Sequence, residues 1–131
     1  MSDHPLVPNL AVRAVPASQA YYRDVLGARV NWIWDDTFGS VCLGHHELFL
    51  YKSEKPHPAI CSIFVDDVDA VHAEVTSRGA EVVEALGLRP WGVCEFSIRD
   101  LDGNVFRIGT LGAGPAEEHR FTSFEEEEVT A

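Results

Sequence analysis

The chain alternates between two hydrophobic periods, one near 2 and one near 3.6, and the alternation occurs twice. Leu6 to Val12 has strand character, and Ala17 to Leu26 reads as a helix entered through Pro16 and closed by Gly27, a residue suited to the left-handed position after a helix. Ala28 to Trp34 is rich in β-formers. Asp35 to Gly39 reads as a turn into a strand at Ser40 to Leu43, and Gly44-His45 turns the chain into Glu47 to Tyr51. Lys52 to Pro58, with two prolines and three charges, reads as a linker.

The pattern then restarts. Ile60 to Val65 predicts a strand, Asp67 an N-cap, and Val68, Val71, His72 and Val75 one helical face that ends at Gly79. Ala80 to Ala85, Val93 to Ile98 and Val105 to Ile108 supply three further strands, the last two joined by a turn in which Gly103 provides positive φ. An offset of 53 pairs Val12 with Val65, Val15 with Val68 and Ala20 with Ala73. The expected fold is therefore α+β: two tandem βαβββ units forming a curled mixed sheet around a cleft. A unit with one helix cannot cover both faces of its own sheet. Unit one spans 6–52, a linker 53–58 and unit two 59–110, all within one domain at 1–112.

Composition narrows the function. With 131 residues, 46% of them hydrophobic, the chain suits one globular core. It shows no apolar run long enough for a bilayer span and no secretory n-region, so a cytoplasmic location is expected. Cys42, Cys61 and Cys94 have no CxxC spacing and read as reduced thiols. The formal charge is −11, of which residues 113–131 carry −5, leaving −6 for the rest. That balance disfavours nucleic acid and anionic membranes and favours a neutral or cationic small molecule. The glutamate-rich 113–131 segment reads as a disordered acidic tail.

Several stretches carry a family likeness. Tyr21-Tyr22-Arg23-Asp24-Val25-Leu26-Gly27 resembles an FYxxxLG helix end, Val65-Asp66-Asp67-Val68-Asp69-Ala70 a VDDxDA helix entry, and Asp100-Leu101-Asp102-Gly103-Asn104 a DPDGN turn with leucine in place of proline. In this order they resemble the glyoxalase/bleomycin-resistance (vicinal oxygen chelate) superfamily, over roughly residues 6 to 110.

Most enzymes of that superfamily hold a divalent metal with His, Glu or Gln from the first and last strand of each unit. The resemblance places those positions at Val7, Phe49, Ile60 and Arg107, none of which can ligate a metal. It therefore implies no metal and no cofactor, and points away from an enzyme. A metal-free branch of the superfamily binds bleomycin without chemistry. Trp32-Ile33-Trp34-Asp35-Asp36-Thr37-Phe38 resembles that branch's aromatic, acidic pair, aromatic run, and Arg89-Pro90-Trp91-Gly92-Val93-Cys94-Glu95-Phe96 its PWGxxEF segment.

The implied function is sequestration of a flat aromatic, neutral or cationic molecule such as a bleomycin-like antibiotic, conferring resistance. Trp32 and Phe38 would clamp the ligand, Trp91 would close one side, and Asp35, Asp36 and Glu47 would attract positive charge. Trp34 shares a strand face with Trp32, and His45, Glu47, Phe49 and Tyr51 share parity with one another. Asn9, Ser62 and Phe64 share parity with Val7 and Ile60 and would line the cleft, as would Arg107. A homodimer with clefts near the subunit interface is implied by the same likeness. The alternative is a metal-independent isomerase or lyase acting on a small carboxylate or carbonyl substrate. It would use His45 and Glu47 as an acid/base pair, with Arg107 gripping the carboxylate.

Overall fold

The structure is a computed structural model and describes residues 3–111; the acidic segment 113–131 lies outside the described residues. Ten elements follow in chain order. Unit one contains β1 (Asn9–Val12), α1 (Val15–Leu26), β2 (Arg29–Trp34), β3 (Phe38–Leu43) and β4 (His46–Lys52). Unit two contains β5 (Ile60–Phe64), α2 (Val68–Ser77), β6 (Glu81–Leu88), β7 (Val93–Arg99) and β8 (Val105–Leu111). None of the described helices is long and apolar enough to cross a membrane.

The repeat is therefore real at the level of elements. Gly27 closes α1 in the left-handed conformation at φ 71°. At the start of α2, Asp67 accepts a hydrogen bond from the Ala70 amide at 3.0 Å. Two boundaries differ from expectation for local reasons. Residues 6–8 do not join β1, because Pro8 has no N–H for the ladder, although its carbonyl accepts from the Phe49 amide at 2.9 Å. The turn expected over Asp35 to Gly39 shrinks to Asp35-Asp36-Thr37, with Asp35 and Asp36 in left-handed backbone at φ 51° and 53°, and β3 consequently begins at Phe38.

The expected α+β fold of two βαβββ units is observed, and each unit forms a four-stranded mixed sheet of its own. Unit one has the order β1-β4-β3-β2 and unit two β5-β8-β7-β6, with β1 parallel to β4, β5 parallel to β8, and the remaining neighbours antiparallel. Among the described residues no ladder joins β1 to β5. Both sheets pack their helix-facing side chains into one buried cluster, which includes Leu10, Val12, Tyr22, Val41 and Leu50 from unit one and Val75, Phe96, Ile98 and Phe106 from unit two.

A polar latch in the Asp100–Asn104 turn ties the units together. Buried Asp100 accepts from the Tyr22 hydroxyl (2.6 Å), the Asn104 side-chain amide (3.0 Å) and the backbone amides of Asp102 and Asn104 (both 2.9 Å). Asn104 also donates to the Ala11 carbonyl at 3.2 Å and accepts from the Ala59 amide at 2.8 Å. Asp102 accepts from the Arg13 amide at 3.0 Å and pairs with its guanidinium. Burial, then the Asp100 charge, raises the Tyr22 hydroxyl well above the usual tyrosine range. Leu101, in the place of the family's proline, is exposed.

Candidate functional site

The faces of the two sheets turned away from the shared core remain open in the chain. They expose Trp32, Trp34 and Tyr51 from unit one, and Ile60, Phe64 and Trp91 from unit two. Exposed large apolar side chains grouped on one face make that face the candidate binding surface.

On the unit-one sheet a bulge decides which side chains meet. The β2–β3 register runs Val30↔Val41 and then Trp32↔Ser40, so Asn31 is the extra residue. The bulge turns Asn31 and Trp32 to the same side. Trp32, Phe38 and Phe49 form a trio of tilted and edge-on rings, with centroids 5.3 Å (Trp32–Phe38), 5.5 Å (Trp32–Phe49) and 5.1 Å (Phe38–Phe49) apart.

This corrects the picture of Trp32 and Phe38 as two jaws. A flat guest between parallel rings needs about 7 Å, twice the carbon–carbon contact distance, so the trio is one wall. Phe49, an emptied metal position by the sequence reading, is part of that wall. Trp34 lies opposite Phe38 in the ladder and is 65% exposed, outside the trio. Asp35 and Asp36 are exposed at the hairpin tip beside it.

Next to the wall runs a polar belt. The Arg29 Nε donates to Asn31 Oδ1 at 3.1 Å, Asn31 Nδ2 to Ser40 Oγ at 2.9 Å, and the Ser40 hydroxyl to Glu47 Oε2. Asn31, Ser40 and Arg29 were absent from the sequence-based set, because nothing local announces the bulge that aligns them. The suggested His45–Glu47 pair does not form. His45 lies in the turn before β4, outside the strand whose parity it was meant to share, and Glu47 takes Ser40 as its partner instead.

On the unit-two sheet, Trp91 and Arg107 come together around Glu95. Arg107 donates through Nε and one terminal nitrogen to Glu95 Oε2 at 3.1 and 3.0 Å, and the Trp91 indole N–H reaches Glu95 Oε1 at 3.2 Å. The Arg107 guanidinium carbon lies 5.7 Å from the Trp91 ring centre, a cation–π geometry. The turn before β7 places Trp91, with Gly92 at φ 86° allowing the Gly92 amide to close onto the Arg89 carbonyl. Trp91, Arg107, Ser97, Glu84 and Ile60 are among the residues around a hollow of about 450 Å³. Glu95, which joins Trp91 to Arg107, is outside the residues the sequence reading singled out, although it sits inside the PWGxxEF-like segment.

Where the two units adjoin, Val7, Glu47, Ser62 and Phe64 line a second hollow of about 510 Å³, together with His45 and His46. Asn9 sits opposite Phe49 in the β1–β4 ladder, and Ser62 opposite Arg107 in the β5–β8 ladder. A divalent metal does not fit this donor set. Phe49 and Ile60 offer no lone pair, Arg107 brings a positive charge, and both Glu95 oxygens are already engaged. Among the described residues no three His, Cys, Asp or Glu side chains converge.

Comparison with known proteins agrees with this architecture. The family model for the Glyoxalase/Bleomycin resistance protein/Dioxygenase superfamily matches residues 3–108. The chain belongs to that superfamily. Its fold matches a bleomycin-binding protein from bleomycin-producing Streptomyces verticillus complexed with copper(II)-bleomycin, with a TM-score of 0.70 and 27% identity over 84% of this chain and 98% of that one. A second bleomycin-binding protein, complexed with bleomycin, gives a TM-score of 0.72 and 21% identity over 82% and 98% of the two chains. Lactoylglutathione lyase from Agrobacterium tumefaciens gives a TM-score of 0.64 and 21% identity over 83% and 96%. No curated protein matches the chain. Binders and a lyase share this scaffold, so the fold alone does not choose between them.

Proposed function

We propose that this superfamily member binds and sequesters a flat aromatic, neutral or cationic small molecule of the bleomycin class without transforming it, and so confers resistance. The observation that carries the reading is the aromatic wall of Trp32, Phe38 and Phe49, and it is supported by the resemblance, under which Phe49 stands at a position where the superfamily's enzymes keep a metal-ligating carboxylate. Two of the structural relatives are bleomycin complexes, which supports the same reading.

One ring wall binds a flat guest on one side only, and the second wall has to come from elsewhere. Two copies paired about a twofold axis would set the wall of one copy against the Trp91–Arg107 face of its partner, giving two equivalent clefts. Trp91 is 47% exposed and held by Glu95, so it is presented rigidly for such stacking.

Isothermal titration with copper-free and copper-loaded bleomycin tests the proposal. Saturable binding at micromolar concentration, weakened about tenfold in Trp32→Ala, is the expected result. No heat with either form, or unchanged affinity in Trp32→Ala, overturns it. Sedimentation of the free protein as a monomer would overturn the paired-cleft arrangement.

A further inference from the structure

The hydrogen-bond belt on the unit-one sheet has a fixed direction. Arg29 can only donate, so Asn31 must accept through its oxygen and donate through its nitrogen. Ser40 accepts from Asn31 and must turn its own proton onto Glu47. The chain of donors ends on Glu47, which is thereby held as an acceptor. Its other oxygen, Oε1, has no hydrogen-bond partner among the described residues, and no lysine, arginine or histidine there pairs with it. Glu95 on the other sheet is the contrast: its charge is answered by Arg107 and both of its oxygens are occupied.

Glu47 also stands at a junction. It lines the hollow of about 510 Å³ between the units. Two residues along the same face of β4 is Phe49, one strand step of about 7 Å away, and Trp32 lies against Phe49 at 5.5 Å. A half-buried carboxylate with a free oxygen, set beside electron-rich ring faces, is a receptor for positive charge.

We propose that Glu47 is the counter-ion for a protonated amine or guanidinium on the ligand, carried about 7 Å from a flat ring that rests on the Phe49–Trp32 wall. This rests on the binding reading above and sharpens it: the ligand is a cation with a defined amine-to-ring spacing, and neutral aromatics bind only weakly. The polarity of the belt favours hydrogen-bond donors over acceptors, because Ser40 has no proton left to offer an acceptor, and the charge of Glu47 favours a cationic donor among them.

The test uses a matched pair of probes, 3-phenylpropylamine and the neutral 3-phenylpropan-1-ol, titrated into the full chain and followed by backbone amide shifts at low ionic strength. The expected result is affinity for the amine about tenfold or more above the alcohol, with shifts centred on Ser40 to Phe49. Glu47→Gln should abolish that preference while leaving the alcohol's affinity within about twofold. Ser40→Ala, which breaks the belt but keeps the charge, should retain most of the preference. Equal binding of the two probes, a preference that survives Glu47→Gln, or no saturable shift with either probe overturns the proposal. A protein that prefers the amine but ignores bleomycin would refute the antibiotic assignment and leave the role of Glu47 standing.

Discussion

Replacing Tyr22 by phenylalanine removes a single oxygen at the point where the two units are joined, and its cost can be worked from the structure. The hydroxyl donates at 2.6 Å to Asp100, which is 5% exposed and keeps three other donors. A hydrogen bond to a buried charge contributes about 1.5–3 kcal/mol, and the three surviving donors argue for the middle of that range, about 2 kcal/mol. The ring itself stays, so its edge-on contact with Phe106 at 5.9 Å persists and no cavity larger than one atom opens. With a urea slope of about 1.5 kcal/mol per molar for a domain of this size, the unfolding midpoint should fall by about 1.3 M.

The pH dependence of this difference has a definite sign. The folded Tyr22 hydroxyl titrates well above the ordinary tyrosine value of about 10, chiefly through burial and then through the Asp100 charge. Between the unfolded value near 10 and the higher folded one, the unfolded chain has released a proton that the folded chain still holds. Wild-type stability then falls by up to about 1.4 kcal/mol per pH unit, a loss the phenylalanine variant does not share. The gap between the two proteins should be full below pH 10 and narrow as pH rises beyond it. A difference under about 0.5 kcal/mol at neutral pH, or a gap that does not change in alkali, would refute the account of the latch.

Other substitutions probe other features. Asp36→Gly should raise stability by about 0.5–1 kcal/mol in thermal unfolding, because glycine adopts the left-handed backbone at φ 53° without the steric cost aspartate bears; destabilisation would mean that the aspartate side chain anchors the hairpin. Arg107→Ala should cost about 2 kcal/mol by leaving the Glu95 carboxylate buried without its cation, less than for a fully buried pair because Arg107 is 39% exposed; an unchanged midpoint would contradict the pairing. Burial, and then Asp100, pushes the Cys61 thiol up, so iodoacetamide should alkylate it more slowly in the folded than in the unfolded protein near neutral pH, as mass spectrometry of the labelled peptide would report.

Much of the scaffold was legible in the chain because it is encoded locally. Gly27 at the end of α1, Asp67 at the start of α2 and Gly103 in the last hairpin each answer a conformational demand that only their own neighbours set. The duplication is visible for the same reason, since each unit repeats one order of periods. The Asp35-Asp36-Thr37 turn is shorter than expected because two consecutive aspartates in left-handed backbone are less favoured than the Asn-Gly or Asp-Gly pairs that announce tight turns.

What only the tertiary structure decided is which side chains face one another. The bulge at Asn31 shifts one strand against its neighbour and thereby assembles both the aromatic wall and the belt that ends on Glu47. The capture of Glu95 by Arg107 and Trp91, and the strand order within each sheet, likewise depend on contacts between residues distant in the chain. Periodicity records which residues prefer burial and in what local geometry. Register, and the assignment of one polar group to another, result from a competition among many long-range pairings that no short stretch of sequence contains.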